Sequence, residues 1–144
     1  ITEEKYQKAE ELADLSLEKM PVDTFSYYTL LEPYISAYYE IDKKEKARNL
    51  FAETALHYQE KLIFYSKQSI ENQTKYLEEI ITDIERYRSL VDVLIVYNDS
   101  IFAQQETERF NSYLELFRYF TGETDMTPEE DIDIEDNLRL LDSN

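Results

Sequence analysis

The 144 residues carry 32 acids against 15 bases, a net charge of −17, with 42% hydrophobic residues, no cysteine, three prolines and a single glycine. That apolar content suffices for a folded core, the charge repels nucleic-acid phosphates, and the lack of cysteine excludes disulfides and thiolate metal sites. Hairpin sheets need positive-φ residues at their turns, so a chain with Gly122 alone is expected to be all-α.

No apolar run approaches the roughly 18 residues that a membrane span requires. The start has no basic-then-apolar leader, and the chain opens at Ile1 without methionine, so an excised segment or processed product is expected. Two regions are expected: a helical domain over 1–122, and an acidic tail over 123–144 with nine acids against Arg139 alone.

The first helix is predicted over Glu3–Met20, capped by Thr2, with Ala9, Leu12, Ala13, Ser16, Leu17 and Met20 on its buried face and Pro21 ending it. A second helix starts near Thr29, where Thr29-Leu-Leu-Glu32 reads as a capping box with Pro33 in the first turn. Leu31, Tyr34, Ile35, Tyr38 and Ile41 form its apolar side. Asp42-Lys-Lys-Glu45 reads as a further capping box, opening a third helix with Ala47, Leu50, Phe51, Thr54, Tyr58, Leu62 and Tyr65 buried. So short a connection predicts an antiparallel hairpin.

Ser66–Asn72 reads as a polar connector. A long fourth helix follows from Gln73 to about Tyr97, with Tyr76, Leu77, Ile80, Ile81, Ile84, Tyr87, Val91, Leu94 and Ile95 at helical spacing. Asn98-Asp-Ser100 predicts a break, and a fifth helix carries Phe110, Tyr113, Leu114, Phe117 and Phe120 up to Gly122. In the tail, Thr127-Pro-Glu-Glu130 predicts a short helix that is weakly docked through Ile134, Leu138 and Leu141 or mobile.

Ala37-Tyr38-Tyr39 late in one helix, Asp42 in the turn, then Ala47 and Phe51 in the next resemble a tetratricopeptide hairpin. A small residue at Ala47 lets two helix backbones approach, with Tyr38 and Phe51 filling the space beside it. Ala9, Ser16 and Pro21 resemble the second half of a preceding unit, offset by 38 residues from Ala9 to Ala47. The repeat's tryptophan and glycine are absent, and the fourth helix exceeds the repeat, so an irregular C-terminal extension is expected.

Lys8-Ala-Glu-Glu-Leu-Ala13, Glu18-Lys-Met-Pro21, Ala37-Tyr-Tyr-Glu40, Lys44-Glu-Lys-Ala-Arg48 and Glu108-Arg-Phe110 resemble, in that order, the C-terminal region of a family of Bacteroidetes multi-pass membrane proteins. Those proteins are themselves similar to protein O-mannosyltransferases. The resemblance implies a soluble segment at the periplasmic face of the inner membrane, lacking the catalytic membrane part. No catalytic residue is carried over by it.

His57 is the only histidine, which is too few for a helical di-metal site. Tyr27, Tyr28, Tyr34, Tyr38 and Tyr39 cluster around the second helix and suit either core packing or an outward interaction face. Asp131-Ile-Asp133-Ile-Glu135 has alternating acids like a calcium loop, but Asp136 stands where a glycine is needed. Asn72-Gln-Thr74 and Asn98-Asp-Ser100 fit glycosylation sequons. Asp99-Ser100-Ile101 also resembles the short O-glycosylation pattern of Bacteroidetes exported proteins. Adjacent acids such as Glu78-Glu79 diverge by about 100° on a helix and share no site locally.

No constellation for nucleophilic catalysis is present, and no cofactor is expected. The expected function is a non-catalytic helical interaction domain, holding a protein partner or a neighbouring domain of the same parent chain. The alternatives are an independent bundle that binds a metal or small ligand, and a dimerisation spacer built on the long helix.

Overall fold

A computed structural model describes residues 2–19 and 30–120, and among these the chain is wholly helical, with no strand. The elements are α1 (Glu3–Lys19), α2 (Glu32–Glu40), α3 (Lys44–Ser66), α4 (Ile70–Lys75), α5 (Leu77–Val96) and α6 (Ser100–Leu114), then a 3-10 helix over Glu115–Phe120. No helix among the described residues is long and apolar enough to cross a membrane. Pro21, Tyr27, Tyr28, the Thr29 cap, Gly122, and the acidic tail with its Asp131–Glu135 run lie outside the described residues. Two compact units divide the chain, Ile1–His57 and Tyr58–Asn144, with the boundary inside α3.

In the first unit, Thr2 caps α1 as expected, its hydroxyl 3.4 Å from the Lys5 amide and its carbonyl accepting from the Tyr6 amide at 3.2 Å. The face turned inward is only partly the expected one. Ala9 and Leu12 are exposed, and only Ala13 is fully buried, with Tyr6, Glu10, Ser16 and Leu17 half-buried. Glu10 joins that face, where it and Asp14 meet the amine of Lys46, and Lys43 also lies near Glu10.

In α2, Leu31 stands at the cap without a side-chain hydrogen bond, and Pro33 falls at the second helical position, where its missing amide costs little. Asp42 corrects an expectation. It does not cap α3, because its φ is 60° and it closes α2. Its amide bonds the Tyr39 carbonyl at 3.1 Å and the Lys43 amide bonds the Tyr38 carbonyl at 2.8 Å, the paired bonds of a Schellman motif. The α3 cap is one residue on, at Lys43, whose carbonyl accepts from Ala47 at 3.0 Å. Within this unit Ala47, Leu50, Phe51 and Ala55 of α3 are buried.

In the second unit, the expected polar connector is tightly organised. Ser69 caps α4 by accepting from the Asn72 amide at 3.2 Å. The buried amide of Gln73 donates to the carbonyls of Ser66 and Gln68 at 3.3 and 2.9 Å, satisfying carbonyls that the end of α3 leaves open. After a break at Tyr76, α5 buries Leu77, Ile80, Ile81, Ile84, Tyr87, Leu90, Val91 and Leu94, and it packs along α6. Tyr76 and Ile95, at the two ends of the expected stripe, are exposed instead.

Tyr87 is the centre of this core. Its ring meets Phe110 edge-on at 4.9 Å between centroids and stacks at 6.4 Å on Tyr58. Its hydroxyl accepts from the Gln59 amide at 2.8 Å, and burial pushes its pKa up to about 12, so the phenol stays protonated.

Candidate interaction surface

The chain reverses between α5 and α6 through Asn98, whose φ is 58°. The Asn98 amide bonds the Ile95 carbonyl at 3.0 Å and the Asp99 amide bonds the Leu94 carbonyl at 3.0 Å, the same Schellman closure that Asp42 makes. Asparagine enters left-handed backbone more readily than most residues because its short polar side chain bonds locally. Three side chains that this turn brings to one end of the hairpin are large, apolar and exposed: Ile95 at 54%, Val96 at 70% and Ile101 at 74%. Beside them runs a cleft of about 400 Å³, with Leu94 and Ala103 contributing buried apolar surface and Gln104, Thr107 and Glu108 on α6.

Charge at this end is one-sided. From Ser89 to Glu108 there is no lysine or arginine, while Asp92, Asp99, Glu106 and Glu108 are all acidic. Asp92 and Glu108 are exposed; Asp99 and Glu106 are buried, with Arg109 lying 3.4 Å from Glu106. Carbonyls at a helix C-terminus add partial negative charge, and α5 has no basic residue in its last turn to offset it.

A second cleft, of about 590 Å³, lies in the first unit among Tyr6, Gln7 and Glu10 of α1 and Ile41, Asp42 and Lys43 of the following turn. Behind it the Lys46 amine sits 2.6 Å from Glu10 and 2.7 Å from Asp14, and the Tyr38 hydroxyl donates to Asp14 at 2.6 Å. The hydrogen bond from Lys46 is the main cause holding both carboxyls below their ordinary range, joined at Asp14 by the Tyr38 hydroxyl. The same bonds hold the Lys46 pKa up. Burial first, and then Asp14, push the Tyr38 hydroxyl well above its ordinary value. These groups are engaged with one another, and the arrangement fastens α1 to its neighbours.

The tyrosines expected as an outward face separate. Tyr38 is buried and bonded to Asp14, which removes it from any open surface, while Tyr34 and Tyr39 are half-buried. Of the expected packing residues, Ala47 and Phe51 are buried, Ser16 and Ala37 are half-buried, and Ala9 is exposed. His57 is half-buried.

The chain matches no protein-family model, no curated protein and no solved structure. Among the described residues, no three His, Asp or Glu side chains converge as metal ligands would.

One buried acid remains, Asp83 on α5. Lys61 lies 3.2 Å from its Oδ1 as a hydrogen bond and 3.0 Å from its Oδ2. The Oδ2 contact is electrostatic only, since that oxygen receives no aligned hydrogen bond. Burial outweighs Lys61 and leaves the carboxyl above its ordinary range. A single acid neutralised by a single lysine explains a structural pair.

Proposed function

We propose that this chain is a helical interaction module that holds a partner through the α5–α6 end of its second unit, rather than an enzyme. The observation that carries the reading is exposed Ile95 on the lining of the cleft, with Val96 and Ile101 also exposed beside the turn that joins α5 to α6. Contiguous exposed apolar side chains next to a groove characterise surfaces that other proteins cover. Tetratricopeptide-type pairing of α2 with α3 belongs to the same reading, on the short turn through Asp42 and the small residue at Ala47.

On the resemblance to the Bacteroidetes membrane proteins, the partner is a neighbouring domain of a glycosyltransferase-like parent at the periplasmic face of the inner membrane. Chemical cross-linking in cells that make the full gene product tests the reading. Adducts joining residues 95–101 to another domain or protein are expected. Turnover of a glycan or phosphate donor by the isolated chain would overturn it.

A further inference from the structure

We infer that the occupant of the α5–α6 end is a cationic amphipathic helix, with apolar residues on one face and lysine or arginine flanking them. The inference rests on the interaction reading above and adds the chemistry of the partner. A cleft between two helices, lined by Leu94, Ile95 and Ala103, accepts apolar side chains spaced at three and four residues. The surrounding segment then selects for positive charge: 20 residues from Ser89 to Glu108 hold no base and four acids, of which Asp92 and Glu108 are exposed. Exposed Glu108 lines the cleft and is in position to meet lysine or arginine there, where charge sets specificity and rate of encounter, and exposed Asp92 lies one helical turn before Ile95 on α5.

The same charge disfavours the other occupants. In a twofold dimer this surface would face its own copy, bringing two sets of these acids together. An anionic lipid surface or a nucleic acid would meet the repulsion of a chain at −17. A cationic helix is the class of partner that gains from both the apolar trio and the acids.

The test uses fluorescein-labelled model helices with leucine at helical spacing and either lysine, glutamine or glutamate elsewhere, followed by anisotropy against the full chain. The lysine helix is expected to bind, more weakly as salt rises, and the glutamate helix not to bind. Ile95→Ser with Ile101→Ser is expected to weaken binding at least about tenfold, since it removes two exposed apolar groups. Asp92→Asn with Glu108→Gln is expected to flatten the salt dependence. The control Leu12→Ser, at an exposed leucine of α1, is expected to leave binding unchanged.

Equal binding of the lysine helix to the Ile95/Ile101 variant would overturn the inference, because the overall acidity alone would then explain it. Failure of the lysine helix to bind would also overturn it. Equally tight binding of the glutamine helix would overturn the charge selection and leave the interaction surface standing. A homodimer dispersed by Ile101→Ser in light scattering would assign the surface to a second copy instead.

Discussion

Replacing Lys61 by methionine removes the partner of Asp83, the most deeply buried carboxylate among the described residues. Asp83 is almost wholly hidden from water, and Lys61 touches both its oxygens, at 3.2 and 3.0 Å. Removing one partner of a buried pair typically costs 3–5 kcal/mol, because the remaining charge is left uncompensated. We expect about 3 kcal/mol, the low end of that range, since the Lys61 side chain is 31% exposed and Arg86 also favours the charged carboxylate.

The loss depends on pH, and the sign follows from Asp83. Its folded pKa already lies above the ordinary value, so its contribution to stability is fully present below that value and fades as pH rises through the folded pKa. Lys61→Met raises the folded pKa further and widens the fading. The deficit is therefore expected to be smaller near about pH 4 than near about pH 7.5. Urea unfolding followed by circular dichroism at both pH values is the assay, with a midpoint shift of roughly 1.5 M expected at the higher pH. Adding Asp83→Leu to Lys61→Met is expected to recover most of the loss. An equal deficit at both pH values, or one below about 1 kcal/mol at neutrality, would refute the reasoning.

Asp42→Gly and Asn98→Gly relieve left-handed backbone at φ 60° and 58°, so each is expected to raise thermal stability by about 0.5–1 kcal/mol, while valine at either position lowers it. Gln73→Ala opens two carbonyls at the end of α3, and a loss of about 1–2 kcal/mol is expected, with faster amide exchange confined to residues around 66–76. In the first unit, the lowered carboxyls of Glu10 and Asp14 contribute stability present above the ordinary carboxylate value and lost as pH falls through the folded ones. Acid or high salt should therefore loosen α1 first, read as proteolytic cleavage within α1, and Lys46→Met should abolish that sensitivity.

Where apolar residues recur densely, the fold was legible from sequence. Ile80, Ile81, Ile84, Leu90, Val91 and Leu94 leave α5 only one face to bury, and Asn98 marks its end. The inward side of α1 is only partly legible, because Glu10 joins Ala13, Ser16 and Leu17 there through its ion pair with Lys46, and hydrophobic spacing cannot register a contact made of ion pairs. Asp42 was misplaced because a short carboxylate suits both a helix N-cap and left-handed backbone, and only the φ angle separates the two. Ser69 escaped notice because the residue three positions on is Asn72, which lacks the acidic half of a capping box. The interaction surface escaped for a different reason. Ile95 keeps the helical spacing of the core, and only the turn at Asn98 leaves it in water. One signal was present throughout: the gap in basic residues between Arg88 and Arg109.

The most direct measurement is residue-specific photo-cross-linking in cells, with the reactive amino acid at Val96 or Ile101 and, as reference, at exposed Leu12. A discrete adduct from the first two positions, absent from the third and lost when Ile95 becomes serine, is what a helix-holding surface predicts. Adducts of equal yield from all three positions, or none from Val96 and Ile101, would contradict it.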